Sequence, residues 1–263
     1  MSFKVGIVQQ RAVPGKIEIN IEKTFSKMLI LKSLGVELIV LPALWATGFV
    51  YNRYHLLANK APDIRKKIEQ FSREHSMVIV HSLWLKDSIG YFQGSWIIEK
   101  TGDTLCQYKK VNLNTVLKED MFLLPGNEAC CLETSLTKVA AISDFDIYYP
   151  SYLRDICSKY IKVLLFSSSW PADLMEQFDI MLRARAIENQ VFIVAANLLG
   201  EYEDFKFSGQ SMIVEPSGAI VAKASDRDDF IYADIDIDLV YAARRKIKIS
   251  PTPFTVIDLK YGA

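Results

Sequence analysis

The stretch Lys138–Pro150, KVAAISDFDIYYP, decides how this chain is read. An apolar run, Val139 to Ile142, stops abruptly at Asp144-Phe145-Asp146 and is followed by two tyrosines and a proline. The pattern is that of a buried strand ending in a sharp turn, a place where folds present a nucleophile. Here no Cys, Ser or His stands at the tip, and a carboxylate takes its place.

Outward from that turn, short apolar runs alternate with helical periodicity. Residues 4–10, 36–42, 77–85, 92–99, 104–111, 160–170, 191–197, 209–216, 219–225 and 229–237 read as strands. Helices are expected over 17–34, 61–75 and 173–190, the last from the spacing of Leu174, Met175, Phe178, Met181, Leu182 and Ala186. Gly35 stands where a helix C-terminal glycine belongs, and Thr101-Gly102-Asp103 and Pro216-Ser217-Gly218 mark turns. No linker or low-complexity segment separates two halves. The expectation is one α/β domain over 1–263, with its core at about 4–245 and a tail at 246–263.

Composition narrows the function classes. Half of the 263 residues are hydrophobic, enough for a large core, and the formal net charge is zero. A balanced charge argues against general nucleic-acid binding, which needs a basic face to displace counterions. The N-terminus lacks a signal-peptide pattern, and no apolar run is long enough to span a membrane, so a soluble, cytoplasmic protein is expected. Cys106, Cys130, Cys131 and Cys157 lack metal-ligand spacing and are expected as reduced thiols. The three histidines are scattered, so no metal centre is expected, and no cofactor is expected because no phosphate loop or dinucleotide fingerprint is present.

Six fragments in order resemble the nitrilase superfamily of carbon–nitrogen hydrolases. They are VELIVLPALWATGF (36–49), GDTLCQYKKVNL (102–113), KEDMFLLPG (118–126), SDFDIYYP (143–150), SSSWP with RARAIENQVFIVAAN (167–171 and 183–197), and GQSMIVEPSGAIVAKA (209–224). The resemblance implies a four-layer α-β-β-α sandwich and pairing through sandwich faces into an eight-layer homodimer or larger homo-oligomer. It also implies amide or nitrile cleavage by a cysteine nucleophile, a glutamate base, a lysine at the oxyanion and a supporting glutamate.

Placed position by position, Lys110 keeps the lysine and Glu119 the supporting glutamate, seven residues before Gly126. The base falls on Ala43 and the nucleophile on Asp144. The Arg and Glu beyond the nucleophile fall on Tyr148 and Ser151, and the His after the lysine falls on Asn112. A single Glu→Ala is a common laboratory change, whereas five changes on one site fit drift away from hydrolysis. Asp144 is a poor substitute nucleophile: its reference pKa is about 3.9, and attack on an amide would produce an uphill anhydride. Losing the nucleophile of a concerted set costs on the order of 10⁶ in rate. Cys157, thirteen residues on, reads as a small core residue in the following helix.

Asp144 is instead expected to be the counter-ion of Lys110, keeping the formal charge of the site at −1. Other positions have two readings each. Lys110 and Glu119 are ligand contacts or a structural ion pair; Phe145, Trp170 and Tyr148 line a small-molecule pocket or pack the core. Asp146 is expected to be structural, and Tyr148 and Tyr149 either block the cleft or serve an interface. Arg183, Arg185 and Glu188 are expected as surface or interface salt bridges, and DIDID (234–238) as a solvated strand face. The functions left open are a non-hydrolytic homologue that binds a small carboxylate or amide or joins an assembly, an altered hydrolase of a short ω-amide or carbamoyl substrate, and a structural partner of an active paralogue.

Overall fold

Strands whose two faces are both covered need apolar residues at successive positions, and several runs in this sequence have that character. The computed structural model describes residues 1–202 and 204–249. In chain order the elements are β1 (Ser2–Gln9), α1 (Ile17–Ser33), β2 (Val36–Val40), α2 (Tyr54–Ala58), α3 (Ala61–His75), β3 (Val78–Lys86), β4 (Tyr91–Ile98) and β5 (Thr104–Lys109). There follow β6 (Cys130–Glu133), β7 (Lys138–Ser143), α4 (Pro150–Ser158), β8 (Val163–Ser168), α5 (Met175–Asn189) and β9 (Phe192–Asn197). The chain continues through β10 (Leu199–Tyr202), β11 (Phe205–Ser208), β12 (Met212–Val214), β13 (Ile220–Lys223), β14 (Asp229–Asp236) and α6 (Ile237–Lys246).

Two six-stranded sheets form, in the orders β14-β1-β2-β3-β4-β5 and β13-β12-β9-β8-β7-β6, with β10-β11 as a separate hairpin. Each has a parallel centre, β1-β2-β3 in one and β7-β8-β9 in the other, and antiparallel flanks. The two-residue period of a strand assigns the faces. Val163 and Leu165, with Phe192 and Val194, meet Val5, Leu38 and Val78 between the sheets. Leu164, Phe166 and Ile193 turn the other way onto α4 and α5, while Ile39 and Ile79 turn onto α1 and α3. The result is helix, sheet, sheet, helix: the expected four-layer α-β-β-α sandwich.

Some local expectations shift. Gly35 ends α1 at φ +83°, where a side chain would be strained. Helix α5 begins at Met175, after a 3₁₀ turn over Ala172–Leu174, instead of at 173. DIDID is only partly a strand face: β14 ends at Asp236, whose side chain accepts from the Asp238 N–H at 3.0 Å and caps α6. Alternating carboxylates look the same in a strand and at a cap, so the sequence does not separate them. Helix α6 runs to Lys246, and residues 250–263 of the expected tail lie outside the described residues. The expectation of four reduced thiols is overturned. Cys106 on β5 is bonded to Cys130 on β6, while Cys131 and Cys157 are free. These cysteines are 24 residues apart and meet because the edge strands of the two sheets stack, which spacing cannot show.

One core residue is a pH liability. His81 on β3 is fully buried, stacked on Trp96 at 5.2 Å between ring centroids, and neither ring nitrogen has a hydrogen-bond partner among the described residues. Burial, with Arg65 adding to it, lowers its pKa to about 3. The unfolded chain therefore binds a proton that the folded chain refuses. Stability from this group is complete above pH ~6.5 and falls by up to ~1.4 kcal/mol per pH unit down towards pH 3. His81→Phe should flatten the acid limb of the stability profile, read as urea midpoints from pH 7 to pH 4; an unchanged slope would contradict the assignment.

Candidate functional site

Four chain ends converge between the sheets. β2 runs out at Val40 and places Ala43, whose N–H donates to the Ser168 carbonyl at the end of β8 at 3.1 Å. β5 runs into Lys110, fixed by its N–H to the Gln93 carbonyl at 3.0 Å and by its own carbonyl, which accepts from the Gly126 N–H at 2.8 Å. Gly126 has no room for a side chain: a Cβ there would lie 2.2 Å from the Lys109 carbonyl oxygen. Glu119 opens a 3₁₀ turn, and Asp144 opens another directly after β7. Asp144 has φ +37°, a conformation that side chains disfavour and that clusters at functional turns. The sharp turn read from the sequence is therefore real.

Its tip is buried and crowded. Lys110 is 1 % exposed, and Glu119, Asp144 and Ala43 are 0 % exposed. The Lys110 ammonium lies 2.6 Å from Glu119 Oε2 and 2.6 Å from Asp144 Oδ2. Asp144 Oδ2 also accepts from Gln93 Nε2 and from the Ser169 hydroxyl, both at 3.3 Å, and lies 3.3 Å from the Ser143 hydroxyl, which donates at 2.9 Å to the Ser167 carbonyl. Asp144 Oδ1 accepts from the Ser168 hydroxyl at 3.0 Å, from the Ser169 hydroxyl at 3.4 Å and from the Ser169 N–H. A carboxylate offers about four lone-pair positions, and these donors occupy both oxygens.

The charges respond to one another. Burial would lower the Lys110 pKa, but Asp144 and Glu119 outweigh it and hold the ammonium above its ordinary value. Glu119 moves up to about 7, because burial and the Asp144 charge outweigh the help it receives from Lys110 and the Asn114 N–H. Two carboxylates on one ammonium therefore titrate as a coupled set.

Asp146 has the structural place expected of it. Its Oδ2 accepts from the Ser143 N–H at 2.8 Å and from the Tyr108 hydroxyl, and its Oδ1 accepts from the Asn112 N–H at 3.1 Å and Nδ2 at 2.9 Å. Burial raises its pKa against these donors. Trp170 is fully buried, donates to the Leu174 carbonyl at 2.8 Å, and packs with Phe145 at 5.6 Å and Tyr148 at 5.3 Å between ring centroids. These three form one aromatic stack, and the Tyr148 hydroxyl donates to Gln177 Oε1, while Tyr149 is exposed. Arg183 pairs with Asp179 at 3.8 Å near the surface, whereas Arg185, which pairs with Glu188 at 3.2 Å, is largely buried and donates to the Ile147 carbonyl at 2.8 Å. Sequence reasoning missed Gln93, Ser143, Ser168 and Ser169 as the polar groups around Asp144. Three consecutive serines ending an apolar strand were the available signal.

Comparison with known proteins places this arrangement. The carbon-nitrogen hydrolase family model matches residues 4–245. The chain belongs to that family. Among curated relatives, it is 27 % identical over 252 residues to a 2-oxoglutaramate amidase of Bacillus subtilis, covering 95 % of this chain and 96 % of that one. It is 24 % identical over 262 residues to an omega-amidase of Xenopus tropicalis, covering 94 % and 93 %. Among solved structures, a carbon-nitrogen hydrolase from Helicobacter pylori superposes with a TM-score of 0.89 at 22 % identity, over 94 % of both chains. A cysteine-to-alanine mutant of an amidase from Nesterenkonia sp. AN1, solved with butyramide, superposes at 0.83 with 20 % identity, over 93 % and 95 %.

The counter-ion reading makes a quantitative prediction. Asp144→Asn keeps the size of the side chain but leaves Lys110 with one carboxylate and turns an N–H₂ group towards donors. Breaking a buried pair in this way costs about 3–5 kcal/mol. Urea unfolding at pH 7 should show that loss, and an unchanged midpoint would remove the counter-ion role.

Proposed function

We propose that this family member does not hydrolyse amides, and that Asp144 is the counter-ion of Lys110 in a site kept for structure. The observation that supports this most is the saturated Asp144 carboxylate. Every lone-pair position meets Lys110, Gln93, a serine hydroxyl or the Ser169 N–H, so none is free for attack on a carbonyl. At the base position, the Ala43 methyl moves no proton. The same packing disfavours a small carboxylate or amide ligand at this site and favours the role of a subunit in an assembly.

The partner this reading implies is a second copy of the chain, in keeping with the pairing that the family resemblance implies. Ile180 and Ile187 on α5 and Ile220 and Val221 on β13 are exposed apolar residues on the outer side of the second sheet. A groove lined by Ile187, Leu239, Ala242 and Ile247 continues this face onto α6. Exposed apolar residues grouped beside an apolar groove are what a self-association face requires. Sedimentation should report a dimer or larger species, and Ile187→Asp should shift it towards monomer with the fold intact; a monomeric parent would end the proposal.

A second reading, an altered hydrolase of a short ω-amide or carbamoyl substrate, has two observations in its favour. Glu119 titrates near neutrality, where an acid–base group is most useful, and the positive-φ turn of Asp144 is intact. Ammonia release from short amides and nitriles separates the readings. The parent protein should be silent, and Ala43→Glu with Asp144→Cys should restore measurable turnover. Turnover by the parent that is lost in Lys110→Ala would establish the second reading.

A further inference from the structure

A cationic cavity lies away from the Asp144 cluster, where the C-terminal ends of α4 and α5 meet the segment after α6. It encloses about 300 Å³ and is lined by Arg154, Arg244, Lys248, Asn189, Cys157 and Ile249, among others. None of the residues around Asp144 contributes to it. Its volume stands at the lower end of the range for small-molecule sites.

Charge is what makes this cavity unusual. Three cations line it, and no carboxylate does so among the described residues. Neither arginine has an ion pair among them. Arg244 spends one N–H on the Ile161 carbonyl at 2.6 Å, and the Arg154 side chain makes no hydrogen bond among the described residues. Burial pulls the Arg244 guanidinium below its ordinary value, and the groups that oppose this are Cys157, Tyr241 and Tyr160, none of them a carboxylate. Cys157 cannot supply the missing charge, since burial pushes its thiol up to about 12. Helix C-termini do favour cations, and that accounts for the single bond of Arg244 to a carbonyl beyond α4. It does not account for Arg154, inside α4, which lines the same cavity. The lining adds an acceptor without a donor: Asn189 is 5 % exposed, its Nδ2 donates to the Arg185 carbonyl at 3.0 Å and to Glu188 Oε1 at 3.3 Å, Glu188 itself being paired with Arg185, and its Oδ1 is buried and unpartnered among the described residues.

We propose that this cavity binds a small organic oxyanion, a phosphate or carboxylate on a short apolar body, with Arg154, Arg244 and Lys248 holding the head group. Paired guanidinium groups suit the planar or tetrahedral oxygens of such a group better than a single point charge would. Cys157 and Ile249 offer apolar wall for the rest of the ligand, and Asn189 Oδ1 favours a ligand that also carries an O–H or N–H donor. The site does not depend on whether Asp144 permits catalysis.

Calorimetric titration of the full chain at low ionic strength, with inorganic phosphate and with succinate as probes, tests this. Saturable binding of either probe, one per chain, is expected, and which probe binds identifies the head group. Arg154→Gln removes a charge with no internal bond to lose and should weaken binding about tenfold or more, as should Lys248→Gln. Lys67→Gln, a surface charge change elsewhere, should leave it unchanged. Absence of saturable binding by both probes, or binding that Arg154→Gln and Lys248→Gln leave intact, would overturn the proposal.

Discussion

A fully buried ammonium needs negative charge beside it, and the need of Lys110 organises the centre of this protein. Its two partners come from the loop after β5 and the turn after β7, so the ion cluster joins the two sheets. The desolvation cost of three charges is large, and it is offset only because each oxygen facing Lys110 also receives other donors. Asp146 repeats the arrangement nearby, with Tyr108 and Asn112 reaching from the first sheet's segment to the turn of the second. The interface between sheets is apolar through most of its extent and ionic at one end. That end is where strands β2, β5, β7 and β8 run out.

This geometry explains how a carboxylate comes to occupy a position that suits a nucleophile. The turn after β7 sets φ +37° at its first residue, and the Asp144 side chain there meets Lys110. A thiol there would leave lone pairs open to the site. A carboxylate instead draws the surrounding serine hydroxyls, the Ser169 N–H and Gln93 onto itself. The upward shift of Glu119 follows first from its burial and then from the Asp144 carboxylate that shares the same ammonium.

The features legible in the sequence were those written in local periodicity. The apolar run Val139–Ile142 and its abrupt stop gave the turn, and the spacing of Phe178, Leu182 and Ala186 gave α5 with its buried face. Short or composite elements were not legible. Four-residue strands such as β6 and β10 lack the length to show a period, and DIDID carries one alternation that serves both a strand and a cap. Of the site, Lys110, Glu119, Asp144 and Ala43 could be named from motif resemblance, whereas Gln93, Ser143, Ser168 and Ser169 could not. Their polar side chains look alike in a sequence whether they face water or a buried carboxylate.

By itself, then, the sequence determined the longer strands and helices, the family and the residue types at the site, because these are set by local periodicity and motif order. The stacking of the two sheets decided the rest. It put Cys106 against Cys130, gathered polar groups from β4, β7 and β8 around Asp144, left three cations facing one cavity, and buried His81 without a partner. Each of these rests on residues distant in the chain brought within bonding range, and on burial that makes unpaired charge costly.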